Sequence, residues 1–314
     1  MHLFDTPDQP GVASADSELE QVLHHLLDLD RHGLRFASAL RGTFDMLLDG
    51  QNTGRYRWDQ LHKTEKTHFG TLVEINLQRE FKFSGGEELD YRICGIEVDC
   101  KYSQNRGSWM IPPEAVGKLC LVLWASDVDS RWWAGLVRAD LGSLNSGSNR
   151  DAKRTLNKQG KASVRWLFSD AQLPVNALLH LPPGDVEAIF ALKSGSKKLD
   201  ELFRRAQGIP IRRAVVATVA QQDDYMKRVR GNGGSRSNLR PEGIIILGQY
   251  KGHRTIAAQL GLPVPGPGEF VSARVVRADE GSHEGRPRAF IDGRWWVRAS
   301  EDDPVEPAPQ LPKV

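Results

Sequence analysis

A mixed α/β fold followed by a winged helix-turn-helix is what this sequence predicts, and three observations lead there. Residues 89–102, L-D-Y-R-I-C-G-I-E-V-D-C-K-Y, read as two short strands joined at Cys94-Gly95. A helical stretch precedes them and a continuous apolar run, Cys120 to Ala125, follows, so helix, hairpin and buried strand share one layer. In the second half, two helical stretches, a glycine turn at Gly231 to Gly234 and a strand at Gly243 to Gly248 come in the order of a winged helix-turn-helix. At 314 residues the chain suits two domains, each able to bury a core. The expected divisions are a tail over 1–16, a first domain over 17–168, a linker over 169–174, a second domain over 175–303 and a disordered end over 304–314.

Ser17 to Leu48 has helical spacing in two stripes, Leu19, Val22, Leu23, Leu26 and Leu27, then Phe36, Leu40, Phe44, Leu47 and Leu48, with a break near His32-Gly33. Ser17 followed by Glu20 reads as a capping box. After a polar loop from Gln51 to Trp58, Thr64 to Phe83 is again helical and carries Glu74, and Gly85-Gly86 stops it. Trp109 to Pro113 is a connection, Trp132 to Arg138 a further strand, and Asn145 to Lys161 a basic stretch with cations at roughly helical intervals. Asp185 to Leu192 and Lys198 to Ala206 read as helices, the second with Leu199, Leu202 and Phe203 inward. Val215 to Arg230 is ambiguous: its first seven residues suit a strand, whereas Gln222 to Arg230 suits a helix. Ser235 to Arg240 is basic and polar, and Glu269 to Arg277 with Ala289 to Arg298 alternates as a hairpin would. The proline-rich run from Pro304 lacks the composition of a packed segment.

Net charge is only +2, but between Lys193 and Arg254 there are 14 Lys and Arg against 5 Asp and Glu. That local excess is the footprint of an anion or nucleic-acid partner. Three cysteines in no zinc-like spacing fit a reduced, intracellular compartment. No apolar run approaches membrane-spanning length, the N-terminus has no signal-peptide core, and no G-x-x-x-x-G-K-[ST] loop supports nucleotide-driven chemistry.

The hairpin is the best candidate for chemistry. Alternation puts Glu97, Asp99 and Lys101 on one strand face, with Asp99 and Lys101 about 7 Å apart. If the first strand folds back, Asp90 approaches them, giving two carboxylates beside an ammonium, which suits a hard cation such as magnesium and water. Lys101 would hold the attacking water or stabilise phosphoryl charge, or would simply pair with Asp99 or Glu97. Glu74 would orient water or a second ion, or be a surface charge. The D-x-K tripeptide alone is weak, because Glu80-Phe81-Lys82 and Asp151-Ala152-Lys153 share the pattern. Only Asp99 lies on an expected strand with another aspartate across a turn. In the second half, Lys227, Arg228, Arg230, Arg236, Asn238 and Arg240 form either a solvated face or a surface for phosphate contact and groove entry.

Four runs closely resemble the NaeI-type restriction endonucleases: D-Q-L-H-K-T-E-K-T-H-F-G-T-L-V-E-I-N-L from Asp59, D-Y-R-I-C-G-I-E-V-D-C-K-Y-S from Asp90, A-T-V-A-Q-Q-D-D-Y-M-K-R-V-R-G from Ala217 and R-P-E-G-I-I-I-L-G from Arg240. The resemblance spans nearly the full chain. It implies a restriction-endonuclease-like mixed-sheet core carrying Glu74, Asp90, Asp99 and Lys101 in the active site. It also implies a magnesium-dependent homodimer that binds two copies of a palindromic duplex, GCCGGC, one cut and one acting as effector on a C-terminal winged helix-turn-helix. Leu89 stands where the family usually has proline. Two other readings remain open on the residues alone: a DNA-binding regulator with an inactive nuclease domain, and a repair nuclease that selects DNA by shape.

Overall fold

In the computed structural model, which describes residues 16–278, 283 and 285–312, the chain forms two units. The first runs up to Thr43 and from Thr67 to Leu173, and the second takes Phe44–Lys66 with the chain from Pro174. Of the tail expected over residues 1–16, positions 1–15 lie outside the described residues, as do 313–314, while Asp16 already belongs to the first helix as its cap.

Helices α1 (Ser17–Leu29) and α2 (Leu34–Leu48) form where the apolar stripes fall, and Leu19, Val22, Leu23 and Leu26 are buried on the first. The cap is one residue earlier than expected. Asp16 rather than Ser17 is the N-cap, its Oδ1 accepting from Leu19 N at 3.1 Å, and Glu20 turns away to pair with Arg165. Aspartate caps as well as serine does, so the sequence offered two adjacent solutions. A single turn, α3 (Gly50–Thr53), precedes α4 (Lys63–Phe81), which buries Phe69, Val73, Leu77 and Phe81.

The first unit's sheet contains β1 (Ser84–Gly85), β2 (Tyr91–Ile93), β3 (Ile96–Tyr102), β5 (Leu119–Ser126), β6 (Arg131–Arg138) and β8 (Arg165–Gln172), in the spatial order β1-β2-β3-β5-β6-β8. Only β3 and β5 are parallel, so the sheet is mixed. The hairpin turn has φ of 53° at Cys94 and 81° at Gly95, the pair of positive values that a two-residue turn matched to strand twist requires. One sheet face meets the helices through contacts such as Phe69 on Tyr102 and Phe36 on Trp132. On the other, Cys120, Val122 and Val137 pack with Trp109, Ile111, Leu144 and Leu156. The basic stretch at 145–161 is mostly irregular. A short strand, β7 (Arg154–Thr155), pairs with β4 (Met110–Ile111), and α5 spans only Lys158–Ala162.

Residues 169–172 are not a linker. β8 continues through Gln172, pairing Ala171 and Gln172 with Trp132 and Arg131, and Leu173 N donates to Ser130 O at 2.9 Å. An edge strand with most of its residues exposed carries loop-like polarity, which is why its composition read as a connection.

The second unit holds α6 (Pro183–Ala191), α7 (Gly195–Arg205), β9 (Ile211–Arg212), α8 (Arg213–Ala220), α9 (Tyr225–Arg228), α10 (Ser235–Asn238), β10 (Ile244–Gly248), α11 (Lys251–Gln259), β11 (Glu269–Arg277), β12 (Arg288–Ile291) and β13 (Arg294–Arg298). β10, β11, β13 and β12 are neighbours in that order, and β9 adds to β11. Ile244 and Ile246 of β10 face the core of α7 and α8, while Ile245 and Leu247 face that of α11, β12 and β13. Val215 to Gln221 is helix rather than strand for all but its last residue: all six residues 215–220 are buried, and an unbroken apolar run carries no period by which to tell the two apart. The expected helix over 222–230 shrinks to Tyr225–Arg228. The expected late hairpin becomes three strands, since β11 pairs with β13 and β12 turns into β13 at Asp292-Gly293.

Residues 304–312 are ordered, against expectation. Ala308 is 2 % exposed, exchanges backbone and side-chain hydrogen bonds of 2.9 Å with Arg240, and Leu311 packs on the core beside it. Glu306 pairs with Arg277 at 3.0 Å. An extended proline-rich segment needs few backbone partners and finds them here along one groove.

Candidate active site

The turn at Cys94-Gly95 lays β2 beside β3 and so brings Asp90 to β3. Register with β5 sets Asp99 next to Cys120 and Lys101 next to Val122, on the face away from the helices. Asp90 Oδ2 accepts from Cys100 N at 2.7 Å, which fixes that carboxylate against the strand. Lys101 Nζ donates to Asp99 Oδ1 at 2.7 Å and to Cys100 O at 3.0 Å, and stands 3.4 Å from Asp90 Oδ2. Two carboxylate oxygens and one carbonyl oxygen thus converge on a single point, where the ammonium sits.

The electrostatics follow from burial. Asp99 is 3 % exposed, and loss of solvent holds its carboxyl well above the usual carboxylate range; Lys101 opposes this and the charge of Asp90 adds to it. Burial also works against the Lys101 ammonium, but Asp99 and Asp90 outweigh it and keep the amine protonated. Glu74 of α4 is raised by burial and then by Asp90, with Lys101 opposing. Its backbone carbonyl accepts from Tyr91 Oη at 2.7 Å, whereas its carboxylate makes no hydrogen bond with a described residue. Asp90, Asp99 and Lys101 are therefore joined, and Glu74 stands beside them within electrostatic reach.

Among the described residues, no three or more His, Cys, Asp or Glu side chains gather as a ready metal cage. The oxygen set at Lys101 nevertheless fits magnesium, which takes hard oxygens, commonly uses only one or two carboxylates, and leaves its remaining positions to water and substrate phosphate. Asp90, Asp99 and the Cys100 carbonyl would hold it.

Two supports were not read from the sequence. Glu97, considered there only as a partner for Lys101, instead accepts from the amides of Glu87 at 3.0 Å, Glu88 at 3.3 Å and Leu89 at 3.0 Å and pairs with Arg92. These contacts, the amides first, depress its carboxyl to about 2. They clamp the segment that ends at Asp90. The second support is the Cys100 backbone, which meets Asp90 through its N–H and Lys101 through its carbonyl. An acidic residue two positions before Asp99 was the visible signal for Glu97, but nothing in the sequence says it reaches backwards.

In the second unit, Lys227, Arg230, Arg236 and Arg240 line one cleft of about 1000 Å³. Arg228 lies outside it and pairs with Asp224 at 3.0 Å, and Asn238 donates to Asp200 Oδ2 at 2.9 Å. Lys227, Arg230 and Arg240 are exposed, while Arg236 turns inward and donates from Nε to Ile246 O at 2.9 Å.

The model of the restriction endonuclease NaeI family matches residues 20–307. A type II restriction enzyme NaeI from Lentzea aerocolonigenes is 54% identical over 309 residues, covering 96% of each chain. The family match takes in the hairpin, the clamp and the cations of the cleft, and with it this chain belongs to the NaeI restriction endonuclease family.

Proposed function

We propose that this protein hydrolyses both strands of double-stranded DNA at a specific palindrome, GCCGGC, using magnesium. The observation that carries the reading is the convergence of Asp90, Asp99 and the Cys100 carbonyl on the Lys101 ammonium, in a member of a restriction endonuclease family. Bound there, magnesium would supply Lewis acidity toward a phosphoryl oxygen and lower the pKa of water. Asp90, held by Cys100 N, and Asp99 position the cation. Lys101 keeps its proton and offers its charge to the phosphoryl oxygens, and Glu74, half-buried beside Asp90, orients water. A palindromic target favours a two-fold homodimer.

The second unit would bind another duplex as effector through a winged helix-turn-helix. Support comes from the strand order β9-β11-β10, the helices α7 and α8 on one face of it, and the exposed cations at the cleft. Of the six residues proposed to meet DNA, Lys227 and Arg230 are free to reach phosphate, whereas Arg240 and Arg236 each spend Nε on a backbone carbonyl, of Ala308 and Ile246. Arg228 and Asn238 would first leave Asp224 and Asp200. Replacing Lys227 and Arg230 together by alanine should weaken effector binding and flatten its salt dependence by about two charges. An unchanged slope in a filter-binding titration would place the DNA surface elsewhere.

The function is tested by incubating the protein and magnesium with a plasmid of known sequence and mapping the ends. Discrete double-strand breaks at GCCGGC are expected. No cleavage, or cleavage indifferent to sequence, contradicts the proposal. Glu97→Ala should slow single-turnover cleavage by about ten- to a hundredfold, because outer contacts that orient a metal ligand carry effects of that size. A rate equal to the unaltered protein would show that the segment before Asp90 holds itself.

A further inference from the structure

The basic stretch at 145–161 takes no part in the chemistry at Lys101, yet it is laid over the sheet face that carries Asp99 and Lys101. Cys120 and Val122 of β5 stand beside those two residues. They pack with Leu144, at the head of the stretch, and with Leu156 inside it. β7 is tied to β4, whose Ile111 belongs to the same cluster. Within 145–161 there are five Lys and Arg against a single Asp. Arg150, Lys153, Arg154, Lys158 and Lys161 make no ion pair with a described residue. In the same unit Arg35, Arg92, Arg131, Arg138 and Arg165 each pair with a carboxylate. A run of unpaired cations on one surface suits a polyanion.

The same face joins this stretch to the reacting centre. Trp124 of β5 follows Val122 on that face, and Trp133 is its partner on β6. Their rings meet edge to face at 4.8 Å between centroids, and the Arg106 guanidinium lies over Trp133 at 4.9 Å. Strand spacing puts Trp133 about 10 Å across the sheet and about 7 Å along it from Lys101. Arg106 is exposed, in the loop that leaves β3 after Tyr102. Trp124 Nε1 donates to Gln104 O at 3.0 Å and Ser103 Oγ to Asn105 O at 2.8 Å, which holds that loop. Stacking fixes the plane of the guanidinium and leaves its edge donors free. A Cβ on Gly107, the next residue, would lie 3.4 Å from Lys161 Cε, so Lys161 runs alongside the loop. Lys158 is one turn earlier on the same side of α5, and both lysines are exposed. Asn157 pins that helix, accepting from Gly160 N at 2.9 Å and donating to Gly142 O at 2.8 Å. A duplex carries a charge for about every 1.7 Å of its axis, so one with a phosphodiester at Lys101 presents further phosphates across this distance.

We propose that Arg106, Lys158 and Lys161 grip the backbone of the duplex to be cut, beside the scissile phosphodiester. The grip rests on the first unit acting on duplex DNA, and its cations are separate from those that would meet the effector duplex on the second unit.

Two measurements test it. Amine-selective acetylation of the unaltered full chain without magnesium, read by mass spectrometry with and without a saturating GCCGGC duplex, reports the surface independently of cleavage. Lys158 and Lys161 should be labelled about fivefold more slowly under the duplex, as lysines held against phosphate are. The second is single-turnover cleavage, with magnesium, of a linear fragment carrying two copies of the site. The variant combining Arg106→Ala, Lys158→Gln and Lys161→Gln should need about tenfold more protein for half its maximal rate, with a salt slope shallower by about three charges. Its saturated rate should stay close to that of the unaltered protein. Arg106→Lys with Lys158→Arg and Lys161→Arg keeps every charge and should restore the half-saturation, a pattern that a purely structural role would not give. Cleavage with both lysines still labelled at saturation, or a half-saturation unmoved by the charge loss, would overturn the grip and leave the nuclease reading standing. Protected lysines without cleavage would keep the DNA surface and overturn the nuclease reading, and neither protection nor cleavage would remove both.

Discussion

Replacing Asp99 by alanine is expected to lower duplex cleavage by about 10³-fold or more, the scale seen when a group that stabilises transition-state charge is removed, while DNA binding persists. One oxygen leaves the set that meets at Lys101, and the cations of the second unit stay. Retained turnover would show that a different carboxylate holds the cation. The unaltered site makes a related prediction. Asp99 must lose its proton before it can hold a metal ion, and burial keeps that proton on well above the ordinary range. Apparent magnesium affinity should therefore climb between acid and neutral pH, together with the cleavage rate. For the metal-free fold the sign is reversed. A folded pKa above the unfolded one favours the fold at low pH, and that contribution is lost as pH rises through the folded value. Magnesium titrations below and above neutrality check this, and a flat affinity contradicts it.

The largest effect on stability is expected away from the site. Arg41 of α2 and Asp127, in the turn between β5 and β6, form a two-pronged ion pair with side chains 1 % and 3 % exposed. Removing one partner leaves a buried charge, and Asp127→Ala should cost about 3–5 kcal/mol, a large part of the roughly 5–15 kcal/mol that holds a domain together. Urea unfolding followed by tryptophan fluorescence reads it, because Trp132 is buried in the same unit. A loss under about 1 kcal/mol, the scale of an exposed ion pair, would mean that the pair is effectively solvated.

Much of the site was legible before the fold was known, for a local reason. A seven-residue strand with period two fixes which side chains share a face, and Cys94-Gly95 is turn chemistry, so Asp90, Asp99 and Lys101 could be placed together without knowing the rest. What stayed hidden was non-local. Lys101 bridges both aspartates only because Cys100 N holds Asp90 against β3, and Glu97 serves the segment before the hairpin rather than its neighbour on the strand. The same division runs through the fold. Amphipathic α1, α4 and α7 were readable from their stripes, whereas buried α8 and exposed β8 carried no period and were misread. Residues 222–240 failed differently. The helix expected over 222–230 is a single turn at Tyr225–Arg228, and the basic segment beyond the glycine turn holds another at Ser235–Asn238. Composition also misjudged residues 304–312, where the partner of the segment, Arg240, lies 68 residues away from Ala308.

Anomalous diffraction from crystals of the protein with cognate duplex and manganese, a stand-in for magnesium with its own scattering signal, locates the cation without reference to activity. A peak bonded to Asp90 Oδ2, Asp99 Oδ1 and the Cys100 carbonyl, with Lys101 Nζ moved off that point, is the expected result. A peak bound by other residues, or none beside Asp99 while duplex lies across the hairpin, would contradict the proposed chemistry.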